Sequence, residues 1–488
     1  MLSIRRVFFY LFVLIYLVCC PILILYALGY IVSPDQKQPI VKSGLIYLST
    51  TPPGASVYLG NRKFFRKTPV VLSELVAGNY EVKVALKKYK PWTKTVPVES
   101  GKATVLERIL LFPDHWKPES LSTEAFQDVV VVSGSRYLIL TKNDHADGLF
   151  IYDRQLEELQ KVFSDYSPLA KSRIMKYFFT ERSPSFIVQL DTEDGEKYFW
   201  ASPRRKEVRL KDITASFSDK PEQIEWDRSE PEKIFSLQNG SVDALNVRTK
   251  QTAPKLLSGV RGFGIHDKKM YVLKDDFTLQ RLNLKAETEK TLFDDSILGK
   301  KLFGKELYQI KILSDDIILF MGEDGSLIGT RYPYQFLDEG LIGSQFDSKE
   351  ERLLIWTKGS IGIIDFQKQK SHTDQVFESG ARLAWLYQSG EKIEQAFWVF
   401  DGSHILFRDK NKINLIELET HGKRNLYHLL NVKEKSSVYY HEDSGNLYYL
   451  KPDSGFLTVL ELLPKQEILP LPFPERKEEP KKIEFGTS

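Results

Sequence analysis

Six residues into the chain, after Arg5 and Arg6, come 26 consecutive uncharged residues, Val7 to Val32, and the sequence then changes to short stretches in which apolar and polar positions alternate. As a helix rising about 1.5 Å per residue, this run reaches roughly 39 Å, enough to cross a hydrocarbon core of about 30 Å. No polar face interrupts it, which argues against a helix packed inside a soluble domain. Pro21 lies near its centre and predicts a kink rather than a break, because a bilayer tolerates proline in a helix. The run is much longer than the apolar region of about 7–15 residues in a cleavable signal peptide. Ala27-x-Gly29 is the one plausible cleavage site, and a lipoprotein signal would want a small residue where Cys19 precedes Cys20.

Past this run the period becomes two. Tyr80, Val82, Val84 and Leu86 alternate with Glu81, Lys83, Ala85 and Lys87, and Leu45 with Tyr47, then Ala55, Val57 and Leu59, repeat the pattern. Gly54, Gly60-Asn61, Gly78-Asn79 and Ser100-Gly101 punctuate these runs as turns. Residues 43–112 are therefore expected to form a small β-sandwich, preceded by a linker over 33–42. The stretch Thr51-Pro52-Pro53-Gly54-Ala55-Ser56-Val57-Tyr58-Leu59, followed by Thr68-Pro69, then Leu75-x-x-Gly78-x-Tyr80-x-Val82-x-Val84 and Tyr89-x-Pro91-Trp92, resembles the PEGA domain family. Pro53 stands where the family name has Glu, and Lys88 where the family usually has Gly before the aromatic residue. The resemblance implies an extracytoplasmic module that binds or spaces, and it supplies no catalytic residue.

The body, residues 113–464, lacks a sustained helical period. Eight candidate hairpin turns recur along it, at Asp147-Gly148, Asp194-Gly195, Asn239-Gly240, Asp275-Asp276, Asp324-Gly325, Lys358-Gly359, Lys410-Asn411 and Ser454-Gly455. Their mean spacing of about 44 residues matches a propeller blade of four strands, about 40–50 residues long. Phe346-Asp347-Ser348, Phe400-Asp401-Gly402-Ser403 and His441-Glu442-Asp443-Ser444-Gly445 each place an acidic turn before an apolar strand. This pattern resembles WD-repeat-like envelope propellers, although the Trp-Asp and Gly-His marks of the eukaryotic repeat are missing. The expected fold is all-β: a single N-terminal transmembrane helix, a PEGA-like sandwich, and a β-propeller of about eight, or seven, blades. Two successive β-sandwiches are the rival architecture. The Pro-rich end, residues 465–488, is expected to be disordered.

Charge adds a direction. Residues 37–117 carry 14 Lys and Arg against 5 Asp and Glu, and residues 1–36 carry +1, so the total of +3 leaves −7 for residues 118–488. A basic module beside the membrane precedes a mildly acidic body, and so low a net charge argues against a nucleic-acid partner. Arg5 and Arg6 hold residues 1–6 in the cytoplasm by the positive-inside bias, while the basic residues beyond the 7–32 span pull the other way. The cations gather most densely at Arg62, Lys63, Arg66 and Lys67, which flank Phe64 and Phe65 in an expected loop. One reading places this loop against anionic headgroups or an anionic wall polymer, and the other folds the phenylalanine pair back onto the sandwich.

Both cysteines, Cys19 and Cys20, fall in the apolar run, so the body has neither a disulfide nor a cysteine metal site. The eight histidines are scattered singly, and no HExxH motif, nucleophile elbow, phosphate loop or dinucleotide fingerprint occurs. His404 in an apolar strand is read as a core or edge residue, and Asn239-Gly240-Ser241 as a hairpin turn rather than a glycosylation acceptor. No catalytic residue, metal or cofactor is expected. The resulting expectation is a non-catalytic, membrane-anchored extracytoplasmic binding or scaffold protein of the cell envelope. Its partners would be the bilayer and an envelope protein or glycan. The alternative is an envelope hydrolase or lyase with its site in the propeller channel.

Overall fold

The computed structural model describes residues 2–32, 40–132, 135–163, 169–179, 183–205, 207–227, 229–294, 296–304, 306–366, 381–419 and 421–462. The tail expected to be disordered lies outside these. The chain divides into two compact units, one comprising residues 1–115 with 462–488 and the other 116–461.

In the first unit an α-helix runs from Leu2 to Ala27 with Pro21 inside it. From Phe8 to Ala27 it is long and apolar enough to cross a membrane, and none of it is buried against the rest of the chain. The charge-free run is helical only as far as Ala27. Gly29 adopts φ +82°, in the left-handed region that glycine enters without strain. Tyr30–Val32 then pairs antiparallel with Ile40–Lys42 at the end of the expected linker. Both the backbone N–H and the hydroxyl of Ser43 donate to the Gly29 carbonyl at 2.8 Å, so the sandwich begins directly beside the helix end.

The sandwich has two sheets. One orders Val70–Leu75, Gly44–Thr51 and Ala103–Leu110, the last two in parallel; the other orders Arg62–Lys67, Ser56–Leu59, Gly78–Ala85 and Trp92–Val98. Ile46, Leu48, Val57, Val82, Val84, Trp92, Val96 and Leu106 fill the space between them. Each large apolar side chain buried in this way contributes about 1.5–3 kcal/mol. Leu45 and Tyr47, expected inside, are only half-buried, and Ile46 and Leu48 point inward instead. Leu45 to Leu48 is apolar throughout, so alternation does not fix its inward face; pairing with both neighbouring strands does.

The second unit is a β-propeller with eight four-stranded sheets among the described residues. The first strands of successive blades are Asp128–Val131, Arg173–Phe179, Gln223–Trp226, Val260–His266, Tyr308–Ser314, Leu341–Asp347, Ile393–Val399 and Tyr439–His441. Seven blades are built from consecutive strands. The eighth takes three strands from the C-terminal side and borrows its outermost strand, Glu119–Ala125, which pairs with Phe456–Glu461 and closes the ring.

Each of the eight turn signals falls between the second and third strands of a different blade. Asn239 (φ +47°) and Gly240 (φ +69°) form the tight turn expected of that dipeptide, so the hairpin reading of the Asn-Gly-Ser triplet holds in the backbone. The apolar clusters lie between neighbouring blades. Ile139, Leu149 and Ile151 of the first pack on Phe186, Val188 and Phe199 of the second. On the other side of the first blade, Val129, Leu138 and Leu140 pack on Leu450 and Leu457 of the eighth. One short helix, Ser296–Leu302, departs from the all-strand expectation, in the connection between the fourth and fifth blades.

Candidate interaction surface

Arg62–Lys67, expected as a loop, is a strand at the edge of its sheet. Gly60 (φ +53°) turns the chain, and Arg62, Lys63 and Lys67 then come opposite Leu59, Tyr58 and Ser56. A dense cation cluster by itself suggests a solvated loop, whereas the flanking β-turn and the pairing with Ser56–Leu59 make the segment extended. Its two phenylalanines part company: Phe64 packs against the sandwich core, and Phe65 is 105% exposed. Arg62 sits 5.3 Å from the Phe64 ring centroid and Lys63 5.8 Å from that of Tyr58. Among the described residues, none of Arg62, Lys63, Arg66 and Lys67 pairs with a carboxylate, and all four are exposed. Lys83, opposite Tyr58 on the next strand, extends the positive surface across the sheet.

The adjacent edge belongs to Val70–Leu75. Its Glu74 carboxylate accepts a 2.8 Å hydrogen bond from the hydroxyl of Tyr26 in the last turn of the helix. Val71 on the same strand is half exposed.

In the propeller, polar side chains on the first strands join blade to blade. Gln395 accepts from the Val438 N–H at 2.8 Å and donates to its carbonyl at 3.4 Å. Gln223 donates to the Phe263 carbonyl at 2.6 Å, and the side-chain oxygen of Gln345 accepts from the Trp398 N–H at 2.8 Å. At the closing seam, Asp128 accepts from the Ser437 N–H at 2.6 Å. Burial holds the Asp128 carboxyl above its ordinary value, against the lowering effect of hydrogen bonds from Ser437 and Val129 and of the Arg408 charge. Arg408 is itself buried and held below its usual range by desolvation; it pairs with Glu394 and donates to the Lys410 carbonyl at 2.7 Å. Sequence reading did not single out any of these residues, because a glutamine on a strand carries no signal of its own until the strand's place in the ring is known.

His404 is buried, with Nδ1 2.9 Å from the Ser403 hydroxyl and its ring edge-on to Phe400, as a core histidine should be. Among the described residues, no group of three His, Cys, Asp or Glu is placed to hold a metal ion.

Comparison with known families sets the sandwich in context. Residues 43–110 match the PEGA domain. Within that domain, Lys88 occupies φ +71°, so the position where the family usually carries glycine retains its left-handed backbone under a lysine side chain. No curated protein matches the chain. Among solved structures, the β-propeller domain of Myceliophteria thermophila Cps50 (Swd1) is similar at 9% identity and TM-score 0.36, over 72% of this chain and 99% of that one. Kluyveromyces lactis Hsv2 is similar at 9% identity and TM-score 0.39, over 63% and 98%. PorZ, a surface component of the type-IX secretion system of Porphyromonas gingivalis, is similar at 11% identity and TM-score 0.36, over 68% of this chain and 42% of that one.

Proposed function

We propose that this protein is a membrane-anchored, non-catalytic binding scaffold of a cell envelope, with its N-terminus inside and its PEGA domain and propeller outside. The observation that carries the reading is the order of parts: an apolar helix, then a PEGA domain joined to it through Ser43 and Gly29, then a closed ring of eight blades. Arg5 and Arg6, in the first turns of the helix just ahead of its apolar span, favour this orientation. The PEGA domain follows the anchor in the chain, and the ring offers a rigid support whose turns recognise an envelope protein or glycan. The ring is held as a rigid support by polar side chains of the first strands, Gln223, Gln345, Gln395 and Asp128, which bond one blade to the next.

Fusions of alkaline phosphatase and of green fluorescent protein to Ser488 test the topology. An active phosphatase and a dark fluorescent protein are expected, and the reverse pattern overturns the orientation. Crosslinking in intact cells, followed by purification of the full chain in detergent, should recover an envelope protein or polymer. Turnover of an envelope polymer by the purified full chain would replace the scaffold reading with a hydrolase or lyase.

A further inference from the structure

Two edge strands of the PEGA domain lie on one side of the sandwich. Arg62–Lys67 and Val70–Leu75 are each outermost in their own sheet, and only Thr68 and Pro69 join them. That side carries four exposed cations without carboxylate partners among the described residues, together with the exposed Phe65 and the half-exposed Val71. It is also the side tied to the helix, through the bond from Tyr26 to Glu74.

Lysine and arginine on an open edge have an ordinary use, because charge discourages edge-to-edge pairing with another sheet. That use does not call for a phenylalanine exposed at 105%, which raises rather than lowers the risk of association. An apolar ring set between cations fits the boundary of an anionic bilayer, where the ring enters the interfacial layer and the cations meet phosphate. A second copy of the same edge would set cation against cation and is disfavoured.

We infer that the Arg62–Lys67 edge lies against the anionic phospholipid headgroups of the membrane that holds the helix, with Phe65 in the interfacial layer. This rests on the reading of the helix as a membrane anchor. The sandwich then meets the membrane along this edge, next to the helix end that Tyr26 ties to Glu74.

The full chain, with Cys19 and Cys20 replaced by Ala, is labelled with a polarity-sensitive fluorophore at Phe65→Cys and, as control, at Thr95→Cys on the strand at the opposite edge. Both forms are placed in nanodiscs of phosphatidylcholine, with and without phosphatidylglycerol. The probe at 65 is expected to shift to the blue and to be quenched several-fold more by brominated lipid when phosphatidylglycerol is present. The effect should fade in about 1 M salt, where the Debye length is about 3 Å, and should be lost on Arg62→Glu, Lys63→Glu, Arg66→Glu and Lys67→Glu. The probe at 95 stays in water throughout. Identical spectra at 65 and 95 in both lipids overturn the inference while leaving the anchor intact, and so does protection of position 65 by soluble polyphosphate but not by lipid. Failure of the chain to enter nanodiscs overturns the anchor itself.

Discussion

The side chain of Gln395 on the seventh blade meets both backbone groups of Val438 on the approach to the eighth, accepting from its N–H at 2.8 Å and donating to its carbonyl at 3.4 Å. Val438 is 1% exposed, so water cannot replace Gln395 there. A backbone group that would otherwise be an orphan between two sheets is satisfied by a side chain from the neighbouring blade.

Gln395→Leu keeps much of the volume and removes both bonds. A buried N–H and carbonyl left without partners should cost about 1–3 kcal/mol, read as a lower midpoint in urea unfolding of the full chain. A midpoint unchanged from the parent would mean that the backbone of Val438 finds other partners.

Gly262 and Gly264 test how closely the blades pack. A Cβ at Gly262 would fall 2.0 Å from the Tyr308 carbonyl oxygen, and one at Gly264 2.5 Å from that of Ile310, both on the first strand of the fifth blade. Gly262→Ala is expected to destabilise by about 1–3 kcal/mol, because backbone rather than a mobile side chain stands in the way. Gly390→Ala, with open space around its Cβ, is the matched control and should change little.

Asp128 predicts a pH dependence. Its carboxyl is held above the ordinary value of 3.8 chiefly by burial, so its ionised form is less favourable in the folded state than in the unfolded chain. The stability that the group contributes is therefore fully present below the unfolded value and is lost as pH rises through the folded one. Asp128→Asn should raise Tm at pH 7, and the gain should disappear in acid below the unfolded value. A gain that persists there would mean that the substitution acts through packing.

Arg154 tests the closing seam. Its guanidinium lies 5.3 Å from the ring centroid of Tyr439 and 5.4 Å from that of Tyr448, both on the eighth blade, while it donates to the Ser135 carbonyl at 2.7 Å on the first. Arg154→Ala should weaken the seam by about 1–2 kcal/mol and speed proteolysis near Glu119–Ala125, the strand that completes the eighth blade. Loss of stability without faster cleavage at that strand would place the effect elsewhere.

Much of the fold was legible in the sequence because local chemistry carries it. A run without charge demands an apolar surrounding whatever it packs against, and turn residues such as Asn239-Gly240 act through their own backbone. The eight turns therefore predicted the eight blades one for one, and the ordered PEGA motifs located the sandwich. Where the pattern was locally ambiguous it misled: continuous apolarity at Leu45 to Leu48 concealed which face turns inward, and a dense cation cluster read as a loop is an edge strand.

What the tertiary structure alone decided are relationships between residues distant in the chain. That Glu119–Ala125 completes a blade whose other strands begin at Tyr439, that Gln395 belongs to Val438, and that Asp128 lies near Arg408 all depend on ring closure, which no local pattern encodes. The same holds for Phe65 and Phe64. Adjacent and identical in sequence, they are sent to opposite sides by the alternation of a paired strand, one to the core and one to the surface.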